Sequence, residues 1–330
     1  MEALNIDHLD RQIIHALIID GRVPFSRVAA VVGVSEQTVA RRYRRMRSAG
    51  VVRVAGVLDT QRLGHAEWAV RLQCVPDASA AVADALARRP DTFWVQLVSG
   101  GTEIDCVVKP TDGSGHDLLL RQLPSSRRIV AISAHSLLHI FRGNTDHWPT
   151  AAEALTAEQA AMLAPPACGD DCRPTVDRFG PDDRVLLAEL ARDGRASYAE
   201  LAHATHWHES TVRRRISELR AAGVLYLDID IHEAAYGIGT WVHLWMSVAP
   251  ARLAAVGEAL ANHPEIPFVA ATTGASNLTA SVLCRDNDAL YQYLTGRIAS
   301  LEGVNALEVA PIMRTVKRTA AVLQPSASAA

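Results

Sequence analysis

Apolar residues recur at helical spacing in three short stretches near the start of the chain. They span residues 10–19, 24–32 and 35–50, the last being arginine-rich and closed by a glycine, and an Asp-Gly-Arg triplet at 20–22 ends the first of them. The second and third stretches are separated by Gly33-Val34-Ser35, in which the glycine suits a tight turn and the serine suits a helix N-cap. Three short helices with such a turn predict a helix-turn-helix domain.

After Gly50 the pattern changes to runs rich in β-branched residues. Residues 51–59, VVRVAGVLD, predict a strand that leads to Leu63-Gly64. Strands are then predicted near 68–75, 92–99, 103–109 and 129–141, with helices near 79–88 and 114–123. The order β-α-β-β-α-β predicts a ferredoxin-like domain, a four-stranded antiparallel sheet with helices on one side. The same order returns near residues 240–248, 252–262, 266–273, 277–284, 287–300 and 304–312.

The chain repeats itself at a fixed offset. Shifted by 173 positions, residues 10–64 fall on residues 183–237 without a gap, and 17 of these 55 positions are identical. Trp68 and Trp241 keep the offset. This self-similarity indicates a tandem duplication.

The predicted fold class is therefore α+β, with two winged-type helix-turn-helix domains and two ferredoxin-like β-α-β-β-α-β domains. A short capped helix at 156–163 is expected between the repeats, in a segment otherwise typical of a linker. The predicted boundaries are 1–64 for the first helix-turn-helix domain with its linking strand, 65–142 for the first ferredoxin-like domain, 143–176 for the linker, 177–237 and 238–323 for the second pair of domains, and 324–330 for a disordered tail.

Composition limits the classes of function without naming one. A chain of 330 residues suits two to four small domains, and 49% apolar residues support globular cores. The net charge of −3 argues against coating nucleic acid along the whole surface, although a short basic helix can still bind DNA. No apolar run is long enough for a membrane span, and an acidic N-terminal stretch argues against export. Together with five cysteines in no framework spacing, these features predict a cytoplasmic protein.

The third predicted helix carries the most specific chemistry. Its residues Val39, Tyr43 and Met46 share one face, so the opposite face presents arginines and a glutamine. Arginine and glutamine can reach base edges in the major groove, and arginine also binds phosphate. A solvated basic helix is the plain alternative, but the turn, the duplication and the clustering favour DNA. The residues predicted to contact DNA are Ser35, Gln37, Thr38, Arg41, Arg42, Arg44 and Arg45, and in the second repeat Ser210, Thr211, Arg213, Arg214 and Arg215.

The second copy of this helix is predicted to bind DNA less strongly. Ser217 and Glu218 stand where the first copy has two arginines, which lowers the positive charge available to phosphate. His206 and His208 stand where the first copy has its turn glycine and capping serine, and histidine serves both roles less well.

No metal or cofactor site is predicted. The histidines near the second turn match no standard ligand spacing and are expected on the surface. Cys168 and Cys172 lie in the predicted linker without a second pair of ligands, so free or redox-sensitive thiols are expected there.

The order of these motifs resembles the Lrp/AsnC family of bacterial transcriptional regulators. The likeness lies in the run LDRQII, the DGR triplet, V-G-V-S, an Arg-Arg pair, A-G-V and a strand ending in L-G, followed by the β-α-β-β-α-β order. It implies a regulator that binds double-stranded DNA, forms homo-oligomers, and senses an amino acid or related metabolite through its ferredoxin-like domain. The effector-binding residues implied by the resemblance are Ser99, Gly100, Gly101, Thr102 and Asp105 in the first repeat, and Thr273, Gly274, Ser276 and Asn277 in the second.

The tandem arrangement departs from ordinary family members, which carry one unit per chain and dimerise. One chain is therefore expected to form its own pseudo-dimer, sheet against sheet. In the leading hypothesis, an effector favours the assembly geometry in which the two DNA-binding domains fit half-sites about a helical turn, or a multiple, apart.

Two other classes of function remain open from the sequence. Siroheme decarboxylases are similar to this family in fold and also combine two units, and there His135 and His139 would be the first candidates for proton chemistry. An architectural protein that organises DNA without sensing a ligand is the third possibility.

Overall fold

A computed structural model describes residues 6–109, 117–143, 154–165 and 179–319. The chain divides into two compact units, and each unit draws on both repeats. One comprises residues 2–64 and 150–235, and the other comprises 65–149 and 236–330. Most of the predicted linker with both of its cysteines, the start of the helix predicted at 114, and the predicted tail lie outside the described residues.

The α+β class and both β-α-β-β-α-β orders are confirmed. The first repeat forms α1 (His8–Ile19), α2 (Phe25–Val32), α3 (Glu36–Ser48), β1 (Val52–Leu58), β2 (Trp68–Cys74), α4 (Ser79–Ala87), β3 (Thr92–Val98), β4 (Glu103–Val108) and β5 (Ile129–Arg142), with a π-helical turn at Leu118–Gln122. After α5 (Ala157–Leu163), the second repeat forms α6 (Pro181–Arg192), α7 (Tyr198–Thr205), α8 (Glu209–Ala221), β6 (Leu225–Ile231), β7 (Thr240–Val248), α9 (Leu253–Ala261), β8 (Phe268–Thr272), β9 (Leu278–Cys284), α10 (Asn287–Tyr293) and β10 (Val304–Lys317). Among the described helices, none has the length and apolar character needed to cross a membrane.

The first helical domain, residues 6–64, has an additional helix packed on it. Helix α5 is the short helix predicted between the repeats, and Thr156 starts it through a capping box. Its Leu163 is fully buried, and the backbone N–H of Leu155 donates to Nδ1 of the buried His15 at 3.1 Å. Burial lowers the pKa of His15, which favours the neutral ring that this acceptor role requires.

The first and the second helical domain (residues 179–235) are joined by their linking strands. β1 pairs antiparallel with β6, and Ala55 lies opposite Asp228, its own counterpart 173 positions later. A residue paired with its own counterpart marks a pseudo-twofold axis. The linking strands therefore form a symmetric two-stranded ribbon.

Two arginines from the repeated Asp-Gly-Arg triplets strengthen this junction reciprocally. Arg22 donates to the carbonyl oxygens of Gly194 and Ala196 at 2.8 and 2.9 Å. Arg195 donates to those of Gly21 and Val23 at 2.7 and 3.0 Å. The aspartates of the triplets take part as well, since Arg47 pairs with Asp193 and Arg220 pairs with Asp20, both at 2.8 Å. We call these contacts the reciprocal clamp.

In the other unit, the first sheet domain (residues 65–143) and the second (residues 236–319) share one closed barrel. The strand order is β3-β4-β2-β5 in the first and β8-β9-β7-β10 in the second. β5 pairs with β8 and β10 pairs with β3, so each sheet closes the other at its edges. The two sheet domains are thus joined edge to edge through hydrogen bonds, whereas the sequence predicts a contact of sheet against sheet. β10 ends at 317 rather than at the predicted 312, because its last residues pair with β3.

Each sheet has a covered face and an inner face. Alternate residues of the strands pack under the helices, with Val70, Leu72 and Ile104 in the first core and Leu244 and Val282 in the second. The other residues of these strands face the barrel interior, because side chains alternate between the faces of a sheet.

Candidate nucleic-acid interface and effector turns

The turn before α3 sets the direction of its basic face. Gly33 has a left-handed backbone with φ 73°, which glycine adopts without a steric penalty. Ser35 caps the helix, with Oγ accepting from the N–H of Thr38 at 3.1 Å. Burial of Val39, Tyr43 and Met46 orients the helix, and the exposed face then carries Gln37, Arg41, Arg44 and Ser48.

The arginines of α3 fall into two groups. Arg42 contacts Asp7 at 2.6 Å and the buried Asp10 at 3.0 Å, and Arg45 contacts Asp10 at 2.5 Å. The hydrogen bond from Arg42 lowers the pKa of Asp7. These two arginines hold α3 against α1. By contrast, Arg41 has no ion-pair partner in the part of the chain that the structure describes, and Nε of Arg44 donates only to the carbonyl oxygen of Ala40, at 3.3 Å.

The second helical domain repeats the structural contact but offers less free charge. Arg215 donates to both carboxylate oxygens of Asp183 at 2.7 and 2.9 Å. Burial would raise the pKa of Asp183, but the bonds from Arg215 and from the Gly180 N–H outweigh it and lower the pKa. Arg214 pairs with Glu218 at 3.3 Å, so part of its charge is neutralised within α8.

Arg213 is an exposed residue of α8 that stacks on an aromatic ring. Its guanidinium lies 4.5 Å from the centroid of the Tyr198 ring. Ser210 is exposed at the start of the helix, next to Thr211, which is half-buried. The outward residues of α8 therefore include fewer unpaired cations than those of α3.

The second turn has the weaker geometry expected from its histidines. His206 occupies the left-handed position with φ 58°, which is uncommon for a residue with a side chain. His208 stands at the N-cap of α8 but its side chain makes no capping hydrogen bond. The second turn therefore keeps the backbone path of the first without the residues that favour it.

Restoring both residues should stabilise the second helical domain. We expect His206→Gly to add about 1 kcal/mol by removing left-handed strain, and His208→Ser to add about 1 kcal/mol by capping α8. Thermal unfolding followed by circular dichroism measures the gain. Gly33→Ala is the matched control: a Cβ there meets no atom within 4 Å, so any loss reports backbone strain alone. No gain from either histidine variant would contradict this account of the turn.

The first turn implied in effector binding, residues 99–102, follows β3. Ser99, Gly100 and Gly101 all have positive φ, at 52°, 75° and 85°. Ser79 Oγ donates to the carbonyl oxygen of Gly101 at 2.5 Å, and Thr102 Oγ1 donates to that of Ser99 at 3.1 Å. These bonds define a tight, ordered turn.

The corresponding turn after β8 is used to join the two sheet domains. Thr273 Oγ1 accepts from the N–H of Ser136 at 2.9 Å, and the Thr273 carbonyl oxygen lies 2.7 Å from Nδ1 of His135. Asn277 bonds the N–H and the carbonyl of Val248, each at 2.8 Å.

The loop between Thr273 and Asn277 has little space for larger side chains. A Cβ on Gly274, which has φ 101°, would lie 2.5 Å from His135 Nδ1. The Ser276 carbonyl oxygen accepts from Thr272 Oγ1 at 2.8 Å. Thr273, the Ser276 carbonyl and the Asn277 side chain therefore already have hydrogen-bond partners within this unit.

Asp105 does not lie with the turn residues. It stands inside β4 and faces the barrel interior, where Arg71 and His243 are its charged neighbours. The resemblance groups it with the turn because residues 99–105 are the counterpart, in the first repeat, of residues 273–278. These two neighbours could not be found from the sequence, since Arg71 lies on β2 of the first repeat and His243 on β7 of the second.

One family model matches the helical part of both repeats, and another matches the sheet domain of the second repeat. The model described as an AsnC-type helix-turn-helix domain matches residues 6–47 and 182–220, and the Lrp/AsnC ligand binding domain matches residues 242–322. Among curated proteins, an uncharacterized HTH-type transcriptional regulator of Pyrococcus abyssi is 32% identical over 139 residues, which cover 41% of this chain and 86% of the relative. Regulatory protein AsnC of Escherichia coli is 27% identical over 143 residues, covering 41% of this chain and 93% of AsnC.

A solved structure matches nearly the whole chain. The siroheme decarboxylase NirDL aligns with a TM-score of 0.62 over 94% of this chain and 93% of its own, at 13% identity. At that identity the likeness shows a shared fold alone.

Proposed function

Because the chain belongs to the Lrp/AsnC family of helix-turn-helix transcriptional regulators, we propose that its two helical domains bind double-stranded DNA unequally. The observation that carries this proposal is the exposed face of α3, where neither Arg41 nor Arg44 forms an ion pair with any residue that the structure describes. Gln37 and the capped N-terminus of α3 complete a surface suited to bases and phosphates. The equivalent face of α8 has a serine in place of Arg44 and a Glu218 beside Arg214.

Among the arginines, the proposal separates contact with DNA from support of the fold. Arg41, Arg44, Arg213 and Arg214 are assigned to DNA. Arg42, Arg45 and Arg215 are assigned first to the contacts with Asp10 and Asp183, so their predicted DNA contact is not required. Ser35, Thr38, Ser210 and Thr211 are assigned to helix starts near the phosphate backbone.

The β1–β6 ribbon and the reciprocal clamp support a single two-headed DNA-binding unit. Seven residue pairs join the linking strands, and two half-buried arginines, Arg22 and Arg195, bond backbone carbonyls across the junction. A small effector would have to break these contacts to change the spacing within one chain. We therefore assign the effector a role in assembly between chains, or in local order, rather than in moving one domain along the other.

The Lrp/AsnC ligand binding domain supports a small-molecule effector, and we propose an amino acid or related metabolite. Assembly of several chains is supported by large exposed apolar side chains on the barrel unit, among them Leu120, Val130, Leu138 and Met313. The domain boundaries predicted above are part of this proposal.

Selection of bound DNA from a random pool tests the proposal most directly. Two unequal domains on one ribbon should select an asymmetric site, with a well-defined half for α3 and a weaker half for α8. Footprinting of the selected site then assigns each half. Recovery of a perfect palindrome, or of no enriched sequence at all, would contradict unequal sequence-specific binding.

The two alternatives make different predictions. A siroheme-decarboxylase-like enzyme should change the absorbance of an added iron tetrapyrrole, whereas a DNA regulator need not. His135, its first candidate, has Nδ1 beside the Thr273 carbonyl oxygen, and His139 packs edge-on against Phe141 at 4.6 Å. An architectural protein should show the same melting temperature across a panel of amino acids, because a ligand that binds the native state raises it.

A further inference from the structure

The last strand of each sheet domain reaches into the other domain. Phe141, near the end of β5, packs against the core of the second sheet domain, and Val316, near the end of β10, is buried in the core of the first. Helix α9 lies against β5, and helix α4 lies against β10. We call residues 141–142 and 316–317 the strand ends, because each of these pairs of residues completes the neighbouring domain.

The two junctions have the same backbone register. Arg142 pairs with Val269 where β5 meets β8, and Lys317 pairs with Val95 where β10 meets β3. These pairs are equivalent in the two repeats, and both junctions carry their two register shifts at equivalent positions. The hydrogen bonds between the backbones therefore do not distinguish one sheet domain from the other. Any preference between partners has to come from the side chains.

The apolar side chains of the two junctions differ in size. The ring of Phe141 lies over Gly257 of α9, where an added Cβ would approach three ring carbons to between 2.3 and 2.6 Å. At the equivalent positions of the other junction, the smaller Val316 shares a core with Ala83 of α4. A large strand-end side chain thus meets a glycine at one junction, and a small one meets an alanine at the other.

The cations of the strand ends have different surroundings as well. Arg142 donates to two carbonyl oxygens at the C-terminal end of α9, at 2.8 and 2.9 Å. Lys317 donates to the carbonyl oxygen of Arg89, just after α4, at 2.5 Å, and its Nζ lies 5.5 Å from the centroid of the Phe93 ring. Both cations stabilise the end of a helix in the neighbouring domain. The ring has no counterpart at the other junction, because Pro267 stands at the equivalent position.

Pairing between two sheet domains of the same kind would bring unmatched side chains together. Two first domains would place Phe141 against Ala83, whose Cβ would occupy the space that the ring fills over Gly257. Two second domains would place Val316 against Gly257 and leave a cavity, and they would separate Lys317 from its aromatic ring. Overpacking and cavities both destabilise a core. Only a first domain with a second domain fills both junctions.

We propose that the strand ends select a sheet domain of the other kind, so that the first domain pairs with the second and not with the first domain of another chain. The residues that determine this choice are Phe141 with Gly257 and Val316 with Ala83, through mismatch with the wrong partner as well as match with the right one. One chain carries one domain of each kind, so it closes its barrel alone. The inference does not rest on the DNA-binding proposal, because pairing is measured without DNA.

The test exchanges the two apolar strand-end residues in the full-length protein. In Phe141→Val/Val316→Phe, each strand end fits the helix of its own kind of domain, so domains of the same kind from two chains should pair after refolding from urea. We expect the mean mass from analytical ultracentrifugation to be roughly double that of wild type at equal protein concentration. The melting temperature should also rise with protein concentration, because the matched barrels then need two chains.

Exchange of the two helix positions is an independent route to the same result. Ala83→Gly/Gly257→Ala leaves the strand ends unchanged but reverses their preference, and it should give the same larger species. It covers the case in which the strand-end exchange does not refold, and its effects on helix propensity oppose each other. Combining all four substitutions restores both matched pairs within one chain. The mean mass should then return to the wild-type value.

A matched control uses the same two strands. Leu138 and Met313 are equivalent exposed residues of β5 and β10, 61% and 62% exposed, and Leu138→Met/Met313→Leu should leave the mass and the melting temperature unchanged. Wild-type mass in both the strand-end exchange and the helix exchange would overturn the proposal, since the pairs would then be ordinary packing. A larger mass that persists in the fourfold variant would overturn it as well.

Discussion

Replacing Arg41 and Arg44 together with alanine is expected to weaken DNA binding by roughly 100-fold or more, because each arginine that contacts DNA contributes about 1–3 kcal/mol. Both side chains are exposed, and neither pairs with a carboxylate in the described parts of the chain. The fold should therefore be unaffected by their loss. Fluorescence anisotropy with the selected DNA site, at several salt concentrations, measures the change in affinity and the change in salt dependence.

The second helical domain provides the matched comparison. Arg214→Ala should cost less than Arg41→Ala, because Glu218 already neutralises part of its charge. Arg285→Ala removes an exposed arginine in the barrel unit and should leave the affinity unchanged. Equal losses from Arg41→Ala and Arg214→Ala would contradict unequal domains. An unchanged affinity in the Arg41/Arg44 double variant would remove α3 as the main contact.

The helical elements were predictable because their signals are local. Helical spacing, a turn glycine and a capping serine specify α1 to α3 within about forty residues, and the structure shows Gly33 and Ser35 in those roles. The difference between the two turns was predictable for the same reason. His206 in a left-handed position and His208 without a capping bond follow from side-chain chemistry alone.

The junctions between the repeats were not predictable from such local patterns. The Asp-Gly-Arg triplets were interpreted as helix stops, yet Arg22 and Arg195 also bond backbone carbonyls across the pseudo-twofold axis. A signal was present, because the triplet and the pair Arg47 and Arg220 are identical in both repeats. Residues that are identical in both repeats without a local structural reason are expected where the two repeats contact each other symmetrically.

A helical projection of α3 could not show which of its arginines are used by the fold. The projection placed Arg42 and Arg45 beside the DNA-facing residues, and their exposed or half-exposed positions agree with that. It could not show Asp10, which is fully buried below them and accepts hydrogen bonds from both. A buried acid near the start of α1 is a sign that some basic residues of α3 serve the fold.

Asp10→Asn is accordingly expected to lower the free energy of unfolding of the first helical domain by about 2–4 kcal/mol, since breaking a buried ion pair leaves charges without a partner. The Asp10 carboxylate accepts from Arg42 at 3.0 Å, from Arg45 at 2.5 Å and from the N–H of Asp7 at 3.2 Å. The loss in free energy of unfolding should stay below the largest values typical of broken buried ion pairs, because Arg42 keeps its contact with Asp7 and Arg45 can turn to solvent. Urea unfolding followed by circular dichroism measures the change.

Asp183→Asn is the matched variant in the second helical domain, and it should cost less than Asp10→Asn. The reason is that Asp183 accepts from one arginine, Arg215, while the residue equivalent to Arg45 is Glu218. Folded Asp10→Asn protein should retain most of its DNA affinity, because Arg41 and Arg44 are unchanged. An equal or larger loss of stability from Asp183→Asn would contradict the assignment of Arg45 to the fold. Loss of DNA binding by folded Asp10→Asn protein would show that Arg42 and Arg45, held in place by Asp10, belong to the DNA contact.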